Sequence, residues 1–326
     1  MTLDPQTAAL LGELAPQAGA PQVGLHDVGP ELARAGSRAV FLAYAGREPA
    51  PCLTEDVRID GPTRSVPARL YRVPIGDTRP QNDALPLVVF FHGGGWSMGD
   101  LDCYDRFMRD LCVQSGAALL SVDYLLSPEN KFPAGLDEGL AAVRWAARFV
   151  GTHSNGGARL AVMGDSAGGN LATVIARRLH AEGQIRLAAQ FLLYPMLDVS
   201  RPHSAYPSRM RFGDGEYLLT RESIDTTTAW YLSNTERPDN PDVSPLLAAD
   251  AGILPETIIV VPGYDPLLDE ARLYAEALTA AGVPTRLECF ETTIHAFLSL
   301  GVLDVAQQGR RFLAAEIKRC LFPEPP

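Results

Sequence analysis

The sequence predicts an α/β protein: a mostly parallel, eight-stranded sheet with helices on both faces and a helical cap. Three observations predict it. From about Leu53 onward, short apolar runs rich in Val, Ile and Phe alternate with longer segments whose apolar residues recur at helical spacing, the pattern of repeated βαβ units. Runs such as Leu87-Val88-Val89-Phe90-Phe91 and Ile258-Ile259-Val260-Val261 are apolar at every position, as strands covered on both faces must be. Two stretches break the alternation, residues 1–50 and a Pro-, Gly-, Ser-, Thr- and aromatic-rich segment at about 201–247. Insertions on such sheets gather over the carboxyl ends of the strands, so both are read as cap, the first as an N-terminal cap segment and the second as an insertion in a main domain spanning 51–326.

The expected strands are Glu55–Ile59, Ala68–Val73, Leu87–Phe91, Ala118–Tyr124, Leu160–Met163, Ala188–Tyr194, Thr257–Val261 and Arg286–Phe290. The first two alternate in polarity and precede any helix, which predicts an antiparallel edge hairpin turning at Gly61-Pro62. Helices are expected at Tyr104–Gln114, Ala134–Phe149, Ala167–Ala181 and Asp269–Ala281, with Val302–Cys320 closing the chain. The tail Pro323–Pro326 is read as a frayed end.

Composition narrows the function classes. The 326 residues are 46% hydrophobic and 21% charged, enough for a large core. A net charge of −11 argues against nucleic acid as partner, because that binding rests on clustered cations. The five cysteines lack CxxC spacing, so they suggest neither a disulfide framework nor a thiolate metal site, and a reducing, cytoplasmic setting is expected. No stretch reaches the ~18 apolar residues of a membrane span, and the N-terminus does not read as a signal peptide.

Gly164-Asp165-Ser166-Ala167-Gly168-Gly169 lies between an expected strand and an expected helix. A serine there must turn sharply, and flanking glycines give that turn room. The bare GxSxG pattern arises by chance in roughly one chain in ten, so its placement carries the inference. His92-Gly93-Gly94-Gly95-Trp96 follows the most hydrophobic strand. Acyl transfer passes through an oxyanion, and a glycine loop can present backbone N–H groups to it. Gly93 and Gly94, with the N–H of Ala167, are the expected donors, and His92 is read as a brace for the loop. A phosphate loop is the competing reading, but neither a Walker sequence nor GxGxxG is present.

Chain order supplies the remaining partners of a serine nucleophile. Asp265 follows the strand Thr257–Val261, and His295 follows Arg286–Phe290, so both can reach the edge where Ser166 stands. Asp269 and Glu270 are rival acids, though they fall in a first helical turn where carboxylates ordinarily serve the helix dipole. Trp96, Asp165, Tyr194, Phe212 and Trp230 are the candidate pocket residues; the aromatics of 201–247 also suit a cap core of their own. No His, Cys or Asp cluster calls for a metal, and the chemistry requires no cofactor.

Taken together, His92-Gly93-Gly94-Gly95-Trp96, Gly164 to Gly169, Asp265-Pro266-Leu267-Leu268-Asp269-Glu270 and His295-Ala296-Phe297 resemble the hormone-sensitive-lipase family of α/β-hydrolases, the bacterial family IV carboxylesterases. Asp123-Tyr124, Ser127-Pro128-Glu129 and Tyr194-Pro195 look similar too. The resemblance implies an α/β-hydrolase fold with a helical cap and the GDSAG subgroup. It also implies Ser166 as nucleophile, Asp265 as acid, His295 as base, and Gly93, Gly94 and Ala167 as the oxyanion hole. Short- to medium-chain acyl or aryl esters are then the expected substrates. A homodimer edge at the final strand and closing helix is a further implication. Two positions depart from the family pattern: Ala296 stands where Gly is frequent, and Leu125 where Arg is frequent. An amidase or deacetylase on the same triad is the alternative reading; a ligand-binding receptor on the same fold is another, though such proteins lose a triad member and all three are present here.

Overall fold

The computed structural model describes residues 2–15, 24–46, 48–74, 85–153, 159–248 and 250–322; the tail 323–326 lies outside them. The strands are β1 (Leu53–Asp60), β2 (Ser65–Arg72), β3 (Leu87–Phe91), β4 (Ala118–Val122), β5 (Leu160–Asp165), β6 (Ala189–Leu193), β7 (Glu256–Tyr264) and β8 (Thr285–Ile294). They form one sheet in the order β1-β2-β4-β3-β5-β6-β7-β8. β1 and β2 make the expected antiparallel hairpin, with Ile59 opposite Val66, and β2 joins β4 antiparallel; every later pairing is parallel.

The helices are α1 (Pro5–Leu14), α2 (Leu25–Tyr44), α3 (Leu101–Ser115), α4 (Ala134–His153), α5 (Ala167–Glu182), α6 (Pro207–Phe212), α7 (Arg221–Tyr231), α8 (Leu268–Ala280) and α9 (Asp304–Leu321). Side chains alternate across each strand, and the central strands use both faces. Leu87, Val89 and Phe91 share one core with α4, α5 and α8. Val88 and Phe90 share the other with α3 and α9. That is why these runs show no polar alternation.

The chain leaves β3 toward β4 on one side and returns as β5 on the other. Such a reversal opens a crevice at the carboxyl ends of β3 and β5, where ligands of open α/β sheets bind. The glycine loop follows β3 and Ser166 follows β5, so connectivity brings these two motifs to one place.

β7 and β8 run three and four residues past the expected strand ends, through Pro262-Gly263 and on to Ile294, with a bulge between Pro262 and Tyr264. Pro-Gly reads as a turn in sequence, yet Gly263 serves close approach: a Cβ there would lie 2.2 Å from the carbonyl oxygen of Glu291. α3 also starts earlier than expected, because Asp100 caps it by accepting from the Cys103 N–H at 2.8 Å.

The two segments that break the alternation meet. α2, broken at Gly29-Pro30, packs on α7 and α3. Glu222 of α7 accepts from the Leu25 and His26 N–H groups at 3.2 and 2.9 Å, filling the free N-terminus of α2. Arg34 donates to the carbonyls of Ser97 and Ser127 at 2.7 and 2.8 Å, tying α2 to the loop after β3. At the opposite end of α7 the Lys131 ammonium donates to the carbonyls of Ala229, Trp230 and Leu232 at 2.9, 2.7 and 2.9 Å. A cation at a helix C-terminus satisfies orphan carbonyls and the macrodipole together. Among the described residues, no helix is long and apolar enough to cross a membrane.

Lys131→Met keeps the aliphatic stem and removes three charge-assisted hydrogen bonds. We expect it to lower unfolding free energy by about 2 kcal/mol, measured by urea denaturation; an unchanged midpoint would mean that α7 is held by packing alone.

Candidate active site

The nucleophile candidate stands out through burial. From Leu160 to Ala176 every residue is buried except Ser166. Its φ of 53° and ψ of −119° lie outside the ordinary regions for a residue with a Cβ. Backbone crowding enforces this turn: a Cβ on Gly164 would fall 2.1 Å from the Gly168 carbonyl oxygen, and one on Gly168 would fall 2.0 Å from that of Phe91. Only glycine lets β5, α5 and the end of β3 come so close. Ser166 N–H donates to the Leu193 carbonyl at 2.8 Å, holding the turn to β6.

His295 Nε2 lies 3.0 Å from Ser166 Oγ, and His295 Nδ1 lies 2.7 Å from Asp265 Oδ2. The structure therefore brings together the three residues singled out as nucleophile, acid and base. Asp265 is fully buried, and its other oxygen accepts from the Leu267 N–H at 2.8 Å. Ala296, where the family often has glycine, adopts the left-handed conformation at φ 63°. The rival acids are engaged elsewhere. Asp269 accepts from the Ser208 N–H at 2.7 Å. Glu270 is buried, takes the Leu197 N–H at 2.6 Å and pairs with the equally buried Arg209. Both fasten α6 to α8.

In the glycine loop the expectation for Gly93 is overturned. Gly93 is buried, and its N–H donates to Asp165 Oδ1 at 2.6 Å, with Tyr104 Oη also near at 3.2 Å. That donor is already spent. Gly94 and Gly95 are partly exposed, with φ of +107° and +58°, and neither N–H has an acceptor among the described residues. The Ala167 N–H likewise has none, as befits the first residue of α5. His92 is buried, stacks on Tyr124 at 4.4 Å, and its Nδ1 lies 2.9 Å from the Gly93 carbonyl oxygen. Burial pushes its pKa down, which favours a neutral ring braced against the loop.

The expected pocket residues mostly support the site from behind. Trp96 is 1% exposed and stacks on Tyr231 at 4.3 Å. Asp165 is 1% exposed. Tyr194 is fully buried, and its ring meets His295 edge-on at 4.9 Å. Phe212 joins Tyr217 and Tyr264 in an aromatic cluster. A side chain without accessible surface cannot line an open pocket, so Trp96, Asp165 and Tyr194 are corrected to scaffold. Trp230 is half-buried on α7, and its carbonyl accepts from Lys131. Sequence reasoning missed Tyr104 and Thr227; Tyr231 counts there among the aromatics of 201–247, for pocket or cap core alike. Thr227 Cβ would lie 2.6 Å from a Cβ on Gly95, so α7 presses directly on the glycine loop. The spacing of Thr227 and Tyr231, four residues apart on one helix face, is the signal that would have found Thr227.

A family model described as alpha/beta hydrolase fold matches residues 88–299. Carboxylic ester hydrolase LipN of Mycobacterium tuberculosis is 39% identical over 273 residues, 81% of this chain and 70% of that protein. Carboxylesterase NlhH of the same organism is 36% identical over 306 residues, 90% of each. An ester hydrolase from the metagenome of Lake Arreo, solved in complex with a bipyridine phosphonate derivative, superposes with a TM-score of 0.88 at 32% identity, covering 97% of this chain and 98% of that one. Sheet order and the sharp turn at Ser166 between β5 and α5 are those of an α/β-hydrolase. The chain belongs to the hormone-sensitive-lipase type of that family.

Removing Arg209 strands the buried Glu270 charge. Arg209→Met is expected to cost about 3 to 5 kcal/mol of stability, read from chemical unfolding. A loss below about 1 kcal/mol would show that the pair does not hold the 201–247 segment to α8.

Proposed function

We propose that this carboxylic-ester hydrolase cleaves short- to medium-chain acyl or aryl esters through a Ser166-His295-Asp265 triad and an acyl-enzyme intermediate. The observation that carries the reading is the continuous hydrogen-bonded line from Asp265 through His295 to a partly exposed, strained Ser166. In this scheme His295 Nε2 takes the Ser166 proton as Oγ attacks the ester carbonyl, and Asp265 fixes the tautomer with Nδ1 protonated. The imidazolium then protonates the departing alcohol. A water enters, His295 takes its proton, and a second tetrahedral intermediate releases the acid and restores Ser166.

The oxyanion of both intermediates is assigned to the N–H groups of Gly94, Gly95 and Ala167. Support comes from their unpaired state and accessibility, against the engaged Gly93. Preference for shorter acyl chains is supported by the surface of 201–247, where Met210 and Leu218 are the large hydrophobic residues found exposed among the described ones. A lid built to meet a lipid surface needs a larger apolar face. Asp165 before Ser166 assigns the chain, in this reading, to the GDSAG subgroup. All five thiols are free, which agrees with a cytoplasmic setting. The homodimer implied by the family resemblance would use α9 and the outer edge of β8, which among the described residues pairs with β7 alone.

Ser166→Ala should lower turnover of p-nitrophenyl acetate by on the order of 10⁶-fold, and Asp265→Asn by on the order of 10⁴-fold, with folding intact by circular dichroism. Unchanged hydrolysis in Ser166→Ala would sink the proposal. A series from acetyl to palmitoyl esters should peak at or below medium length. Matched aryl esters and anilides test the bond type: faster anilide cleavage would reassign the enzyme as an amidase.

A further inference from the structure

The five cysteines differ in surroundings. Cys103, Cys112 and Cys320 are buried, whereas Cys52 and Cys289 are partly exposed. Burial pushes the thiols of Cys103 and Cys320 up to about 12 and raises Cys289 as well, which keeps them protonated and unreactive. Cys52 and Cys112 are distinct because the fold brings them together: their side chains hydrogen-bond each other.

Backbone and side-chain contacts around the two thiols fix this meeting. Cys52 precedes β1, where Leu53 pairs with Arg72 of β2, and its sulfur lies 3.3 Å from the Arg72 carbonyl oxygen. Arg109 of α3 donates from Nη1 to the Cys52 carbonyl at 3.2 Å and from Nε to Asp105 at 2.6 Å. Tyr71 of β2 gives its hydroxyl to the other Asp105 oxygen at 3.1 Å. Asp105, Arg109 and Cys112 follow one another at spacings of four and three residues, so they lie along one face of α3. The open end of the β1–β2 hairpin rests on that face. The arginine that grips the Cys52 backbone stands one turn before the Cys112 thiol.

The two thiols are unequal. Cys112 is fully buried, while Cys52 keeps accessible surface. A cleft of about 530 Å³ opens beside Cys52, with Thr54, Asp105 and Arg109 in its wall. The Cys112 thiol donates to the Cys52 sulfur and holds its pKa below the ordinary thiol value; Arg109 acts in the same direction, burial and the Asp105 carboxylate against it. Cys112 moves the opposite way through the same hydrogen bond. A thiolate that a small oxidant can reach, next to a protonated thiol that it cannot, is the arrangement of a reactive and a resolving cysteine.

We propose that Cys52 and Cys112 are a redox-responsive pair, in which Cys52 reacts with a hydroperoxide and Cys112 resolves the product to an intramolecular disulfide that staples the start of β1 to α3. The Cys52 thiolate attacks a peroxide oxygen: an S–O bond forms, the O–O bond breaks, and the departing hydroxide takes a proton to become water. The Cys112 sulfur then attacks the sulfenic sulfur. An S–S bond forms, the S–O bond breaks, and the hydroxide leaves as water with the Cys112 proton. Two thiols have lost two electrons, and the peroxide has become two waters. A dithiol reductant reverses the change by exchange. Transient disulfides of this kind are compatible with a reducing setting.

The staple acts on the junction through which residues 1–50 join the sheet. That junction is otherwise held by ion pairs of Arg38 with Asp100 and Asp102, and by Arg106 donating to the Gly46 carbonyl. A covalent tie between positions 52 and 112 restricts the unfolded chain and so stabilises the fold. β1 runs in the same direction as β3 and β5, so its start lies at the amino ends of those strands, whereas Ser166 follows the carboxyl end of β5. The inference is therefore independent of the proposed triad.

Fully reduced wild type is treated with hydrogen peroxide and compared with Cys52→Ser, Cys112→Ala and Cys289→Ser. In wild type the mass should fall by two hydrogen atoms, and a tryptic digest should contain the Cys52 peptide linked to the Cys112 peptide. The melting temperature should rise by about 5 °C and return on addition of dithiothreitol. Cys52→Ser should show neither change, and Cys289→Ser should behave as wild type. Cys112→Ala should accumulate a sulfenic acid on Cys52, captured by dimedone. Before oxidation, iodoacetamide should label Cys52 about 10-fold faster than Cys289 at neutral pH. Hydrolysis of p-nitrophenyl acetate should be the same before and after the disulfide forms. If Cys112→Ala fails to fold, the wild-type digest and Cys52→Ser decide. Linkage of any other pair, or sulfinic acid on Cys52 in place of the linked peptide, would overturn the inference. A linked pair that leaves the melting temperature unchanged would overturn the staple.

Discussion

The architecture of the site depends on one contact between backbones. The first turn of α5 lies against the carbonyl end of β3 so closely that Gly168 has no room for a methyl group. That approach forces Ser166 out of the buried layer into a conformation that residues with a Cβ avoid. It also fixes the distance between the segment carrying the hydroxyl and the loop carrying the free amides. The strain is not confined to Ser166: Trp96, Tyr194 and Ala296, all within the site or directly beneath it, have positive φ as well. The sheet and its two helical layers hold these conformations in place because β3, β4, β5 and β6 are buried along their whole length.

A second layer of determination comes from outside the sheet. α7 meets Gly95 through Thr227 and Trp96 through Tyr231, and α2 reaches the same loop through Arg34. Segments 1–50 and 201–247 are therefore part of the wall that positions the amides. Asp165 acts on that loop from the opposite side, through Gly93. A glycine-rich segment is intrinsically free to move, and here it is held from the sheet side and from the side of α2 and α7 at once. Substitutions in α7 can thus alter turnover without touching substrate.

Much of this was legible in the sequence because it reduces to steric exclusion. Gly164, Gly168 and the apolar runs around them report backbone crowding and double-sided burial, and both leave few residue types allowed. The order of Ser166, Asp265 and His295 followed from strand ends lying on one edge. Gly93 was misread for a physical reason: three successive glycines show where amides are accessible, whereas the one already engaged is set by Asp165, distant in sequence. Pro262-Gly263 looked like a strand end because the sequence does not show that β8 needs the space a side chain would fill. Trp96 and Tyr194 look like pocket walls by composition. Their burial depends on Tyr231 and His295, whose positions only the fold supplies. Asp265 and Asp269 are distinguishable in space because Ser208 of the 201–247 segment occupies the latter.

The capping of α7 has a practical side. The chain contains two lysines, Lys131 and Lys318. The ammonium of Lys131 is fully committed to three carbonyls and is a poor nucleophile while it stays there. Lys318 is exposed on α9, in the layer that α9 forms with α3. Amine-directed coupling of the folded enzyme to a solid support would therefore favour a single side-chain anchor, Lys318. Molecules attached through it would share one orientation, with α7 and the glycine loop left unmodified.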